Sequence, residues 1–368
     1  MRQAFIFVDN LRVGGYQRLT LDQAYKLSDL GVDVTVFVLS PESDWNFARI
    51  ESNLIMQKGI KLISVSEKRF TLIRFLRKIF RAEKDKVLII SHSLRATLAL
   101  RILKNINCFE GTINTTLHQL PGLSHKSQRL KRFIYAQFSD SLFCFSKAAQ
   151  MEWYNQFGFR FSKLLGALTK NISVLRNGIY LDRLPNQLRN QPEANRPRVI
   201  YLGRISFWKG LDTLKSLARL PELAHFDFLL MVPKVSPKDL AELSTLLDNR
   251  LEVIEGKSVS SLESRPGDVH IYPAHYGEKV SVIESISLNC LEMSAIGIPS
   301  LVSQGGLHTW PELLTSDLVR EVDWSDLAAV GHSLNNASKI RVSEIELKNV
   351  RQIVDIENQL LELLNNRD

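Results

Sequence analysis

RVIYLGRISFWKGLDTLKSLARL, residues 198–220, carries three signals in a fixed order. Val199-Ile200-Tyr201-Leu202 is a short unbroken apolar run, the pattern of a strand buried on both faces. Gly203-Arg204 ends it, and Lys209-Gly210 stands where LDTLKSLARL opens as a helix. A strand, a glycine-bearing turn and a helix make half of a βαβ unit, which predicts a parallel sheet covered by helices on both faces.

The same alternation runs outward in both directions. Before this stretch, AFIFVD, VDVTVFVLS, KVLIISHS, EGTINTTLH, SLFCFS and ISVLRNG read as strands, and YQRLTLDQAYKLSDLG and LRATLALRILKNI carry helical periodicity. After it, HFDFLLMVPK, RLEVIEG, DVHIYP and PSLVS read as further strands. Residues 182–197, DRLPNQLRNQPEANRP, are polar and proline-bearing and read as a linker or surface loop. Two α/β domains in series follow, 1–176 and 177–345. The segment 346–368 reads as a C-terminal helix that could pack back on the first domain or on the second.

A chain of 368 residues with 45% apolar and 23% charged residues is long enough for two full cores. Cys108, Cys144 and Cys290 are odd in number and far apart, which suggests neither a disulfide framework nor a zinc site. The N-terminus reads as a strand and no apolar stretch is long enough to span a bilayer, so a cytoplasmic protein is expected. A formal charge of +8 points to anionic partners, and no nucleic-acid motif accompanies it. The charge gathers in 68–86, KRFTLIRFLRKIFRAEKDK, and 125–133, HKSQRLKRF. In 68–86 apolar residues recur at helical spacing against Arg74, Arg77, Lys78 and Arg81. Two readings are open: a peripheral contact with an anionic membrane face, or a crossover helix packed on its sheet with a solvated basic side.

In open parallel sheets ligands bind beyond the carboxyl ends of the strands, so motifs there carry the most weight. Neither G-x-G-x-x-G nor G-x-x-x-x-G-K-[ST] occurs. VGGYQR, 13–18, sets Gly14 and Gly15 between the first strand and a helix, where backbone can approach an anion or be no more than a turn. Arg204 and Lys209 can clamp a diphosphate or be solvated surface charges. ESISLNCLEMSAIGIPSLVS, 284–303, holds Glu284 and Glu292 eight steps apart. On one helix that is about 12 Å, too far for an acid/base pair on one bond and suited to gripping two ends of a long ligand. A diphosphate between the cations, ribose hydroxyls on Glu292 and a second sugar on Glu284 together describe a nucleotide-sugar.

The succession GGYQR, SHS, LHQ, SLFCFS, VLRNGI, GRISFWKG and ESISLNCLEMSAIGIP resembles glycosyltransferase family 4, over nearly the whole chain. The resemblance implies the GT-B fold, two Rossmann-like α/β/α domains facing across a cleft, the first binding acceptor and the second donor. It implies a metal-independent, retaining hexosyltransferase without a cofactor, using a nucleoside diphosphate sugar and a glycan or lipid-linked acceptor. That acceptor suggests envelope polysaccharide or glycolipid synthesis and work at the inner membrane face. The roles implied are diphosphate binding for Arg204 and Lys209, ribose for Glu292, donor sugar for Glu284, donor phosphate and acceptor for Gly14 and Gly15, and the reacting sugar for His118. His92 and Glu278 are the competing candidates for the last histidine and first glutamate. The chain departs from the family at Ser285-Ile286-Ser287, where a small residue, Phe and Gly are usual, and in the longer GGLHTWPE, 305–312. A non-catalytic nucleotide-sugar-binding scaffold and a sugar-nucleotide epimerase on the same fold are the rival readings.

Overall fold

The computed structural model describes residues 3–12, 14–65, 69–82, 87–117, 138–153, 172–185, 196–205, 209–273, 287–304 and 310–365. The chain divides into two compact units, Met1–Tyr180 with Ile356–Asp368, and Leu181–Asp355.

Unit 1 is built on strands β1 (Gln3–Val8), β2 (Asp33–Val38), β3 (Lys61–Ser64), β4 (Val87–Ser91), β5 (Gly111–Leu117), β6 (Ser141–Cys144) and β7 (Ile172–Val174). They lie in the order β3-β2-β1-β4-β5-β6-β7, and every pairing is parallel. Gln3 pairs with Asp33 on one side and Val87 on the other. Side chains alternate across a strand. Phe5 and Phe7 therefore share one face of β1, where they pack with Phe37, Leu76, Phe80 and Leu100. Phe7 and Phe37 stack at 4.8 Å between ring centroids. Helices α2 (Arg69–Ala82) and α3 (Leu94–Asn105) cover that face. Helix α1 (Gly15–Asp29) packs on β1 and β2 and buries Leu19, Leu21 and Tyr25.

Unit 2 repeats the plan with β8 (Arg198–Leu202), β9 (Asp227–Val232), β10 (Leu251–Glu255), β11 (Val269–Tyr272), β12 (Ser300–Ser303) and β13 (Val319–Val322). Their order is β10-β9-β8-β11-β12-β13, again all parallel. Helices α4 (Leu211–Ala218), α5 (Pro237–Leu247) and α7 (Leu327–Ala337), with α6 (Leu288–Ala295) between the last two in sequence, supply the cover. Val199, Tyr201, Leu214, Phe228, Leu243 and Leu334 form the core on one face. At the amino end of the sheet Arg198 forks onto Asp268, with nitrogen–oxygen distances of 3.0 and 2.7 Å, both side chains buried.

The C-terminal tail is two helices, α8 (Glu344–Val354) and α9 (Ile356–Asn365), broken at Asp355, whose backbone is extended with φ −62° and ψ 130°. The units divide at that break. Helix α9 belongs to unit 1, where the Ile356 N–H donates to the Ile179 carbonyl and Lys26 pairs with Glu357 at 2.6 Å.

Two strands were not expected from the sequence. Both β3 and β13 are sheet edges, and neither is an apolar run: KLIS is partly exposed throughout, and Arg320-Glu321 interrupts VREV. The linker reading of 182–197 also starts too early. Leu181–Arg183 form one turn of 3-10 helix, and Arg183 and Leu184 are buried.

The stripe of α2 is settled by burial. Leu72, Leu76 and Phe80 are in the core of unit 1, with Ile73, Phe75 and Ile79 packed against it, whereas Arg74, Arg77, Lys78 and Arg81 are exposed. The apolar face is occupied by protein and is not available to insert into lipid. Among the described residues no helix is long and apolar enough to cross a membrane. Leu76→Ala is expected to destabilise the protein by about 2–5 kcal/mol as a buried large-to-small change. Arg77→Ala, on the exposed side, is expected to stay within about 0.5 kcal/mol. Urea unfolding of the two variants checks this, and equal effects would contradict the assignment of the stripe to the core.

Candidate functional site

Strand β8 has neighbours reached by crossovers on opposite faces, α4 leading to β9 and α6 joining β11 to β12. This is the topological switch point of unit 2, the place where open parallel sheets bind ligands. Four segments meet there: the end of β8, the start of α4, the end of β11 and the start of α6.

Their closeness is enforced by backbone. Gly210 caps α4 with φ +77°, and a Cβ there would collide with the Pro273 carbonyl and come within 2.7 Å of its ring. Glycine is the residue that fits both the conformation and the space. On the other side, Asn289 in the first turn of α6 donates from Nδ2 to the Leu202 carbonyl at 3.0 Å, tying α6 to the end of β8. Ser287 caps α6 through its hydroxyl.

The charged residues sit on this frame. Arg204 follows β8 and is exposed, and its carbonyl accepts from the Tyr201 hydroxyl at 3.0 Å. Its guanidinium has no ion-pair partner among the described residues. Half-buried Lys209 donates to the Tyr272 hydroxyl, and its Nζ lies 4.8 Å from that ring's centroid. Glu292 lies on α6, buried, with Oε1 accepting from Nη2 of Arg183. Burial raises the pKa of the Cys290 thiol far above the ordinary range, against the opposing effects of Lys209 and a hydrogen bond at Ser287, and the Glu292 charge raises it further. Arg204, Lys209 and Glu292 are brought to one end of one sheet; Glu284 and Glu278 lie outside the described residues.

The corresponding point of unit 1 lies between β1 and β4. Gly14 precedes α1 with extended backbone, φ 179°, which any residue adopts, and Gly15 is the first residue of the helix. A Cβ at Gly15 meets nothing within 4 Å, and one at Gly14 meets the amide end of Gln17. Neither glycine is demanded by conformation, so what their lack of a side chain supplies is room at the helix N-terminus. Asp9 accepts from the Ser93 hydroxyl at 2.6 Å, and Thr97 bridges Ser91 and Thr115 at 2.9 and 3.0 Å. His92 is buried with Nε2 2.8 Å from Oε1 of Gln23, and burial lowers its pKa to about 3. It is held neutral as part of this framework. His118 and the basic run 125–133 lie outside the described residues.

Sequence reasoning did not single out Arg183, Tyr272, Tyr201 or Asn289. Tyr272 stands in the strand-end signal IYP, and Arg183 was absorbed into a polar stretch whose composition hides one buried turn.

The two parallel sheets with their helices give the chain the GT-B fold. Solved structures, a glycosyltransferase among them, match it over 99–100% of its length. The Anabaena protein Alr3699/HepE in complex with UDP and glucose superposes with a TM-score of 0.70 at 16% identity, covering 100% of both chains. A glycosyltransferase from Rickettsia africae ESF-5 gives 0.69 at 14% identity, covering 100% of this chain and 97% of its own. TarM gives 0.69 at 11% identity, with 99% and 98% covered. The sequence matches no protein-family model and no curated protein.

The burial of His92 has a consequence for acid stability. The unfolded chain takes a proton on this side chain near pH 6.5, whereas the native chain resists until about pH 3. Its contribution is therefore intact above pH 6.5 and is lost as pH falls toward 3, at up to about 1.4 kcal/mol per pH unit. The stability gap between the parent and His92→Gln should narrow below pH 6.5 when urea unfolding is measured at pH 7, 5.5 and 4.5. A gap independent of pH would contradict the buried neutral histidine.

Proposed function

We propose that the chain is a hexosyltransferase of the glycosyltransferase family 4 type, transferring a hexose from a nucleoside diphosphate sugar with retention at the anomeric carbon. The observation that carries this reading is the gathering of Arg204, Lys209 and Glu292 at the switch point of unit 2. The Anabaena neighbour's complexes with UDP and with UDP-glucose support a nucleotide-sugar donor.

In this reading the bond between the anomeric carbon and the diphosphate oxygen breaks while the acceptor oxygen bonds to that carbon on the same face. The acceptor's proton passes to the departing phosphate. Arg204 and Lys209 stabilise the charge that grows on the diphosphate, by charge-assisted hydrogen bonds that strengthen as the bond breaks. With two fixed cations in that role, the reaction is metal-independent and needs no cofactor. Glu292 accepts from ribose hydroxyls and Glu284 from the donor sugar; Gly14, Gly15 and His118 keep the parts that the family resemblance gives them. Arg204→Ala and Lys209→Ala are each expected to lower turnover of UDP-glucose about tenfold or more, from roughly 1.5–3 kcal/mol per hydrogen bond to a charged group. Release of UDP with a panel of glycan and lipid-linked acceptors measures this, and thermal unfolding checks that the fold is kept. Unchanged turnover in both variants refutes the assignment. Donor binding without turnover under any acceptor points instead to a non-catalytic scaffold.

The acceptor in this reading is a glycan or a lipid-linked sugar in envelope polysaccharide or glycolipid synthesis, met in the cytoplasm at the inner membrane face. Support comes from the exposed side of α2, where Arg74, Arg77, Lys78 and Arg81 have no ion-pair partner among the described residues. Since the apolar stripe is in the core, the contact is electrostatic. Each cation contributes about 1 kcal/mol beside an anionic leaflet, and salt weakens the sum. Replacing all four by glutamine should abolish flotation with phosphatidylglycerol vesicles at low salt and leave thermal stability within a few degrees. Parent protein that ignores the vesicles, or binds them indifferently to salt, excludes this contact.

A further inference from the structure

Arg183 and Glu292 form an ion pair with side chains 1% and 3% exposed, Nη2 donating to Oε1. Arg183 enters on the single turn Leu181–Arg183, at the start of unit 2, and Glu292 stands midway along α6. That helix is fixed independently at both ends. Asn289 bonds the Leu202 carbonyl at 3.0 Å, and Arg351 on α8 donates to the Ala295 carbonyl at 3.1 Å. With α6 anchored in this way, the pair is not what locates the helix; it is one constraint on the rotation of the carboxylate.

Stability alone is a poor account of the pair, because the cost of desolvating two charges offsets most of their attraction. An ionised carboxylate accepts about four hydrogen bonds, so one carboxylate can meet a protein cation and ligand hydroxyls together. Hydrogen bonds from ligand hydroxyls need the remaining lone pairs to point at the ligand, and a carboxylate free to turn would spend part of its time facing elsewhere. We infer that Arg183 is the positioning residue for ribose recognition: it holds the Glu292 carboxylate in the rotamer that accepts hydrogen bonds from the 2′- and 3′-hydroxyls of the donor nucleoside. This rests on the donor reading of Glu292 given above.

The test separates ribose recognition from general support of the fold. Calorimetric affinities of UDP and 2′,3′-dideoxy-UDP are measured for the full-length parent and Arg183→Lys, with GDP and its dideoxy analogue replacing them if the parent prefers guanosine. Parent protein should favour the hydroxyl-bearing nucleotide by about tenfold or more, the effect of one hydrogen bond to a charged group. Arg183→Lys should lose most of that preference while its affinity for the dideoxy nucleotide stays within about twofold, the coupling expected of two groups acting through one contact. Combined with Glu292→Gln it should add nothing further. Arg183→Gln, which keeps an N–H donor without the charge, carries the same comparison if the lysine variant does not fold. An equal loss for both nucleotides, or no loss for either, overturns the inference and leaves the donor reading standing. A parent that binds neither UDP nor GDP, or binds them without regard to the hydroxyls, removes the ribose role of Glu292 and the inference with it.

Discussion

The contact between Gly210 and Pro273 is the constraint on which the site of unit 2 depends. At a switch point the helix following one strand must start beside the end of a strand that leads to the opposite face. Here the start of α4 is pressed so closely on the end of β11 that a side chain cannot intervene, and the chain turns through φ +77° to enter the helix. The bond from Asn289 to the Leu202 carbonyl closes the third side by holding α6 to β8. Lys209 is the residue immediately before the glycine, and Glu292 is three residues beyond the asparagine. Their backbone positions are thus set by one main-chain contact and one side-chain bond to a main-chain carbonyl.

Polar neighbours then determine where the charges point. Tyr201 holds the carbonyl of Arg204, the Tyr272 hydroxyl receives Lys209, and Arg183 meets Glu292. A buried carboxylate is tolerated where a cation and further hydrogen bonds compensate its lost hydration. The equivalent end of unit 1 is chemically different. It is lined by the hydroxyls of Ser91, Ser93, Thr97 and Thr115, with a histidine kept neutral by burial and one carboxylate, Asp9, bonded to Ser93. One sheet topology carries a charged strand end in unit 2 and a hydroxyl-rich one in unit 1. The hydroxyls of unit 1 are buried and bond within the framework, whereas Arg204 in unit 2 is exposed.

The central strands were legible in the sequence because burial on both faces forces an unbroken apolar run, as in VLIIS and RVIYL with its one paired arginine. Edge strands escape that demand, which is why KLIS and VREV carry no comparable signal. The cations of the site were legible from their place between strand and helix. Arg183 was not, since its partner lies 109 positions away in the chain and nothing local distinguishes it from the polar residues that follow. Helical periodicity likewise ran through Asp355 without revealing the extended residue that separates α8 from α9.

The basic side of α2 shows how far amphipathicity alone carries an argument. Any helix that packs one face on a sheet must be polar on the other, so the alternation in 68–86 is what the fold requires, whatever lies outside. The identity of the polar residues is not required. Elsewhere in unit 1 cations tend to sit beside acids: Arg12 with Asp44, Arg18 with Glu51, Lys26 with Glu357, Lys61 with Asp33, and Arg101 and Lys104 with Asp140. Arg74, Arg77, Lys78 and Arg81 have no such partner among the described residues, although the helix would fold as well with glutamates interspersed at (i, i+4). Packing explains the apolar half of α2 completely. The unbalanced charge of its other half is a property of the surface and not of the packing.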